Sequence, residues 1–224
     1  MRIIAGSDFH GFRPSFEAFA LEAKKQKADV ILIGGDVTNF GTMEQARRLL
    51  LILSEINIPV FFVPGNCDPP SLTNLNFDNV KCIHSRGVTY GDLVFIGIGG
   101  SPITPFNTPF EMNEGEIAEI LQNCINSLGD EVGQRQIILV SHPPPKNTRL
   151  DRTAFGIHAG SISVRRFIEK HNPLLVACGH IHEAKGEERI GETLIVNLGS
   201  AKQGSYAIIE VEEKVEVDLQ TLKI

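Results

Sequence analysis

Three features are missing, and each absence closes a class. There is no excess of basic charge: 21 Lys and Arg stand against 27 Asp and Glu, for a formal net charge of −6. Proteins that hold nucleic acid electrostatically show a basic balance or stripe, so there is no strong nucleic-acid signal, although a small local basic patch stays compatible. The four cysteines, Cys67, Cys82, Cys124 and Cys178, show no CxxC spacing. A disulfide scaffold is therefore not expected, and reduced thiols of a cytoplasmic protein are. No apolar run approaches the ~20 residues of a membrane span, and Ile3-Ile4-Ala5 is too short for a signal-peptide core. The expectation is a soluble protein without a membrane partner.

What is present is an ordinary globular composition, with 42% hydrophobic and 21% charged residues over 224 positions. That length suits one large α/β domain over 1–224 with one sizeable core. No repeat, low-complexity tract or linker is visible.

The informative stretch is Val30-Ile31-Leu32-Ile33-Gly34-Gly35-Asp36. Four large apolar residues closed by two glycines read as a strand buried on both faces, as in a parallel sheet. Ligands bind beyond the carboxyl ends of such strands, and Asp36 stands there. Alone, Asp36 is equally well read as a turn or helix-cap residue. Four other strand ends repeat the pattern.

In chain order, a strand over Arg2–Ala5 runs into Ser7-Asp8-Phe9-His10-Gly11. A helix from about Pro14 to Lys25 follows, with Pro14 in its first turn. After the Asp36 strand comes a helix from Met43 to Ile56, then strand Val60–Val63 leading into Pro64-Gly65-Asn66-Cys67-Asp68. This β-α-β-α-β run predicts parallel, right-handed crossovers. Short strands are expected over Val80–Ile83, Val88–Tyr90 and Leu93–Ile98. A proline-stiffened loop with two exposed phenylalanines, Phe106 and Phe110, leads to a helix over Glu114–Leu128. Strand Gln136–Val140 runs into Ser141-His142-Pro143-Pro144-Pro145. After a polar loop come a helix over Ser161–Lys170 and strand Leu174–Ala177, which ends in Cys178-Gly179-His180-Ile181-His182. A meander of Thr193–Val196, Ser205–Val211 and Val215–Gln220 closes the chain, the last strand alternating as a sheet with one wet face does.

Five strand ends thus carry Asp8 with His10, Asp36, Asn66, His142, and His180 with His182. Parallel strands align their carboxyl ends, so these groups can converge. Two carboxylates, one amide oxygen and four imidazoles exceed the coordination of one ion. They suit two ions about 3.5–4 Å apart that share a carboxylate, with Asp36 as the expected bridge. Mixed imidazole and oxygen donors favour manganese, iron, zinc, cobalt or nickel over magnesium or calcium.

The blocks Asp8-Phe9-His10, Gly35-Asp36, Gly65-Asn66, His142 and Gly179-His180-Ile181-His182 resemble, in order, the five motifs of the calcineurin-like metallophosphoesterases. The stretch around Ser141–Pro145 and Phe167–His182 is similar to the small prokaryotic phosphoesterases of that family. The resemblance implies an α/β fold, a four-layer αββα sandwich with two facing, mostly parallel or mixed sheets. It implies one metal on Asp8, His10, Asp36 and His182 and a second on Asp36, Asn66, His142 and His180, with manganese or iron expected. The implied activity is hydrolysis of a small phosphate ester, a phosphodiester first, by a metal-bridging hydroxide. The alternatives are a phosphomonoesterase or nucleotide pyrophosphatase using the same site, and a non-catalytic binding scaffold, which the presence of all four ligand histidines disfavours.

Two departures matter. Purple acid phosphatases place Tyr three residues after the bridging Asp; here Asn39 stands there, which disfavours an iron(III)–tyrosinate centre. Many members have His directly after the motif Asn, acting on the leaving group; here Cys67 offers one weak donor and no cation. Aryl diesters are therefore expected to react better than alkyl monoesters. Some diester-cleaving relatives share the Asn-Cys-Asp variant. Asp36, Asn66, His142 and the loop residue His158 are the catalytic candidates. Phe9, Asn39, Cys67, Lys146 and Phe106 are candidates for lining the substrate, Phe106 and Phe110 alternatively packing against a second copy in a homo-oligomer. Asp68 reads as orienting its neighbours or, preferably, as a turn cap; Asp151 and Arg152 read as pocket-lining or, by default, solvated charges; His84 reads as a surface-turn residue, and Cys82, Cys124 and Cys178 as packing.

Overall fold

The computed structural model describes residues 1–129 and 135–224. The first part alternates as expected: β1 (Arg2–Gly6), α1 (Arg13–Lys25), β2 (Val30–Ile33), α2 (Met43–Ser54) and β3 (Val60–Phe62). β1, β2 and β3 are parallel neighbours, with Ile3 opposite Val30 and Ile31 opposite Val60. β4 (Asn76–Phe77) and β5 (Val80–Cys82) finish one edge of this sheet. The hairpin of β6 (Gly87–Tyr90) and β7 (Leu93–Ile98) opens a second sheet. A two-stranded piece, β8 (Ser101–Pro102) with β9 (Glu111–Met112), precedes α3 (Glu114–Leu128). Then follow β10 (Gln136–Ser141), α4 (Ile162–His171), β11 (Leu175–Cys178), β12 (Gly186–Ile190), β13 (Thr193–Asn197), β14 (Ser205–Val211) and β15 (Val215–Thr221).

The large sheets run β15-β14-β1-β2-β3-β5-β4 and β12-β13-β11-β10-β7-β6. The closing strands are not a plain meander. β13 lies parallel to β11 in the second sheet, whereas β14 crosses over to lie antiparallel to β1 in the first. β12 carried no readable signal because it is a charged edge strand, Gly-Glu-Glu-Arg-Ile, with no fully buried residue. Such charge on an edge discourages pairing with another chain.

Strand alternation sorts the apolar residues into three layers. Ile4, Ile31, Ile33 and Phe62 face α1 and α2, where Phe16, Phe19, Leu50 and Leu53 meet them. Their strand neighbours Ile3, Ala5, Val30, Leu32 and Phe61 face the other way, onto Phe95, Ile138, Val140, Leu175 and Val196 of the second sheet. The outer face of the second sheet, with Val94, Ile96, Leu139 and Val176, packs on Ile117, Leu121, Val164 and Phe167 of α3 and α4. Helix, sheet, sheet, helix is the four-layer sandwich that the resemblance implied. Each such buried side chain contributes about 1.5–3 kcal/mol, and Cys82, Cys124 and Cys178 are buried among them. Capping boxes start α2 (Thr42 with Gln45) and α3 (Asn113 with Glu116). No helix among the described residues is long and apolar enough to cross a membrane.

Candidate metal centre

Both sheets send the carboxyl ends of their parallel strands to one edge of the sandwich. The loops after β1, β2 and β3 meet the loops after β10 and β11 there. Asp8, His10, Asp36 and His180 hold left-handed backbone, with φ of 58°, 46°, 48° and 69°. Non-glycine residues in this region cost of order 1 kcal/mol each, and such strain gathers at functional sites. Backbone bonds impose it: Asp8 N–H donates to Gly35 O at 3.0 Å, His10 N–H to Asp36 O at 2.8 Å, and Gly11 N–H to Val37 O at 2.9 Å. Two motif glycines are needed for space. A Cβ on Gly35, whose φ is +110°, would run into the His142 ring, and one on Gly65 would fall on the Asp36 carboxylate.

The seven predicted side chains do come together. In one half, His182 Nε2 lies 3.2 Å from Asp8 Oδ1 and 3.2 Å from His10 Nε2, and His10 Nε2 lies 3.6 Å from Asp36 Oδ2. In the other, Asn66 Oδ1 lies 2.9 Å from His142 Nε2 and 2.9 Å from His180 Nδ1, with His142 Nε2 3.7 Å from Asp36 Oδ1. Asp36 turns one oxygen to each half. Its Oδ1 also accepts the Cys67 N–H at 2.8 Å, which fixes the carboxylate plane.

The donor chemistry fits divalent cations. His142 Nδ1 donates to the Gly34 carbonyl at 2.8 Å, so its Nε2 presents a lone pair to an amide oxygen that also accepts. A cation between them satisfies both. Burial pushes His10 down to about 4, and desolvation with the neighbouring His142 pushes His180 down to about 3, so both rings are neutral at pH 7, the form that ligates. Burial, with the fields of Asp8 and Asp68, pushes Asp36 up to about 7 despite the opposing field of His142. Burial also pushes Asp8 up, but its bond from His182 and the fields of His142 and His182 outweigh that and hold it well below the carboxylate range. No Lys or Arg among the described residues pairs with either acid within 4.0 Å. Two buried acids without a fixed cation are what a metal pair neutralises.

Supports for these loops are partly new. Asp68 is not a simple turn cap. Fully buried, it accepts from Val37 N–H (2.9 Å), Thr38 N–H (2.7 Å), the Thr38 hydroxyl (2.7 Å) and Gly65 N–H (2.9 Å), bracketing the Asp36 loop to the Asn66 loop. Sequence reading missed Asn197 and Ser200. The Asn197 amide donates to Leu150 O and Ile181 O at 3.0 and 2.9 Å, and the Ser200 hydroxyl donates to Asp8 O at 3.1 Å. The available signal was Asn197-Leu198-Gly199-Ser200, polar residues at one more buried strand end.

Other predicted residues divide. Phe9 does not line the cleft: its ring is fully buried and stacks on Phe16 at 4.2 Å, because the loop turns it back into the helix layer. Asn39 lines a cavity beside His10. The Cys67 sulfur groups with ligand atoms of His10 and Asp36, and burial with the Asp36 charge pushes its thiol up, so it stays a neutral, weak donor. Lys146 is half-buried, with its backbone N–H on Ser161 O at 2.9 Å. Phe106 is 80% exposed, whereas Phe110 is buried against His84, ring centres 5.3 Å apart. His84 is accordingly no surface residue: it is buried, accepts the Gly99 N–H at 2.9 Å, and burial pushes it down to about 4.

His158 stands outside the seven-residue cluster. Its Nδ1 lies 2.7 Å from Asp151 Oδ1. Asp151 is not solvated; it is fully buried and also accepts from Asn147, Thr148 and Gly160 N–H groups at 3.1, 2.9 and 3.1 Å. Its loop is tied to the metal edge, with Ala154 N–H donating to Glu183, next to His182, at 2.7 Å.

Known proteins share the sequence pattern and the fold. The family model described as "Metallophosphoesterase, calcineurin superfamily" matches residues 39–222. The uncharacterized protein MJ1162 of Methanocaldococcus jannaschii is 39% identical over 97% of the chain and 95% of the relative. A probable cyclic nucleotide phosphodiesterase of Vesicomyosocius okutanii is 26% identical over 78% of the chain and 71% of its own length. Among solved structures, TT1561 of Thermus thermophilus superposes with a TM-score of 0.78 at 20% identity, covering 99% of each chain. A dimetal phosphatase of Danio rerio superposes with a TM-score of 0.69 at 12% identity, covering 100% and 99%.

Proposed function

The chain belongs to the calcineurin superfamily of metallophosphoesterases, and we propose that it is a phosphodiesterase working with two divalent cations, manganese first among them, on a small phosphate ester. The observation that carries this reading is Asp36, with one carboxylate oxygen toward His10 and the other toward His142. Asp8, His10, Asp36 and His182 would hold one cation; Asp36, Asn66, His142 and His180 would hold the other. When bound, such a pair supplies Lewis acidity and lowers the pKa of water toward neutrality.

The remaining steps belong to the protein. Burial keeps the His10 and His180 imidazoles neutral and ready to ligate. The Gly34 carbonyl holds the His142 tautomer, and Asp68 holds the two loops at one spacing. Cys67, next to the motif Asn66, is too poor an acid to protonate a departing alkoxide. His158 is the proton donor in this reading: its Nδ1–H donates to Asp151, and the imidazolium form carries a second proton on Nε2 that passes to the leaving oxygen, leaving the ring neutral with Nδ1–H still on Asp151. A nitrophenolate leaves without that help, an alkoxide does not.

The test is metal analysis followed by a substrate panel. The protein purified with manganese should hold two ions per chain. It should cleave bis(p-nitrophenyl) phosphate more than tenfold faster than an alkyl monoester, and lose that activity to a chelator. Failure to take up manganese, iron, zinc, cobalt or nickel, or equal rates on both ester classes, would overturn the reading. His158→Ala should slow an alkyl ester about 10²-fold while changing the nitrophenyl diester less than threefold; equal losses on both would remove His158 from proton transfer.

A further inference from the structure

The Asp8–His10 loop opens on one side into a cavity of about 350 Å³ between the start of α1 and the first turns of α2. His10, Arg13, Thr38, Asn39, Gln45 and Arg48 line it, and no acidic side chain does. His10 belongs to the candidate metal centre, so this cavity and the cations would share a wall. Its lining contrasts with a chain of net charge −6 and with another surface cavity lined by Glu210, Glu212, Glu213 and Glu216 together with Lys214.

Both arginines are set to present their outer ends. Arg13 Nε pairs with Glu17 at 2.7 Å and Arg48 Nε with Glu44 at 3.0 Å, each one helical turn along its own helix. These are exposed pairs through Nε alone, and they leave the terminal amino groups without a partner among the described residues. Free guanidinium ends two helices apart suit a phosphate, which accepts several N–H bonds in a fixed plane.

Two exposed aromatic residues neighbour the lining residues in sequence, although neither is itself part of the lining. Phe12 lies between the lining residues Gly11 and Arg13, and Phe40 between Asn39 and Gly41. They are 38% and 61% exposed, and Phe40 holds a φ of 56°, which is costly for a bulky side chain. The Phe40 N–H on Cys67 O explains that backbone, but no core contact explains an exposed ring there.

We propose that this cavity is the second half of the substrate site and takes a second phosphate, carried on a ring-bearing alcohol of the same ester. The inference rests on the phosphoesterase reading above. The probes are thymidine 5′-phosphate and thymidine 3′,5′-bisphosphate, titrated calorimetrically into the manganese-loaded full chain, and the p-nitrophenyl 5′-esters of both. The extra phosphate should tighten Kd and lower KM about tenfold, the worth of one charge-assisted contact. Arg13→Gln with Arg48→Gln should bring both ratios to about one, while Arg149→Gln, a surface arginine paired with Glu188, should keep the wild-type ratios. Each ratio is internal to one protein, so a partly destabilised variant still reports. Hydrolysis of both esters without a preference, or a preference that survives the double substitution, overturns the inference. Preferential binding without hydrolysis keeps this site and overturns the phosphodiesterase reading instead.

Discussion

The two halves of the candidate metal centre are built differently. The Asp8–His10–His182 half reaches solvent, with the His182 side chain 35% and the His10 side chain 13% exposed. The Asn66–His142–His180 half is closed by His142, which has no exposed surface and is braced by the Gly34 carbonyl. The first half is a set of ligands hung at the mouth of a cleft. The second is sealed by His142, while His180 stays partly exposed. The inner half is therefore expected to tie metal binding to folding, and the outer half to exchange its ion and meet substrate.

Asp36 joins the halves, so its loss should erase the contrast. Asp36→Asn is expected to lower diester hydrolysis by about 10³-fold or more, about 4 kcal/mol at 1.36 kcal/mol per decade, and to leave less than one metal per chain. Metal analysis with kcat/KM checks it; two ions retained would deny the sharing. Removing one ligand from each half should sharpen the contrast. His142→Ala leaves the Gly34 carbonyl unpaired and a cavity in the core, at a cost of about 2–4 kcal/mol. His182→Ala should cost under about 1 kcal/mol in the metal-free protein. Denaturant unfolding of both variants decides it, and equal costs would dissolve the distinction.

Asp68→Ala tests the bracket below both halves. Three buried N–H groups and one hydroxyl lose their acceptor, and a cost of about 3 kcal/mol is expected; a loss under 1 kcal/mol would make Asp68 incidental. The last effect is a pH dependence carried by His84. His84 is buried with a folded pKa of about 4 against an ordinary 6.5. The folded state then binds fewer protons than the unfolded chain, so its neutral ring stabilises fully above pH 6.5 and this contribution declines as the pH falls toward 4. The span is worth about 2–3 kcal/mol. His84→Gln, which can still accept from Gly99, should flatten that part of the stability–pH curve; an unchanged slope would refute it.

Much of this was legible in the chain and some was not. Glu114–Leu128 was readable to the residue because its apolar period matches the face it buries, and Leu93–Ile98 because an unbroken apolar run matches a strand buried on both faces. β12 was not, since a charged edge strand has no period to read. Phe9 and Phe110 look alike in sequence to exposed aromatics, yet one stacks in the helix layer and the other covers His84. Asp68 and Asp151 look like ordinary loop acids and are buried brackets, because their partners are backbone N–H groups, which leave no trace in residue type.

By itself the sequence determined the donor types and the edge they share. Imidazole, carboxylate and amide donors after buried strands need only parallel pairing to face one another, and apolar runs closed by glycine announce both strand and turn. Only the tertiary structure decided which donor stands beside which, which acids are buried, and where two arginines open a second pocket. Those depend on contacts between residues far apart in the chain, such as His180 N–H on Asp8, 172 positions away, and no local pattern encodes a distance of that kind.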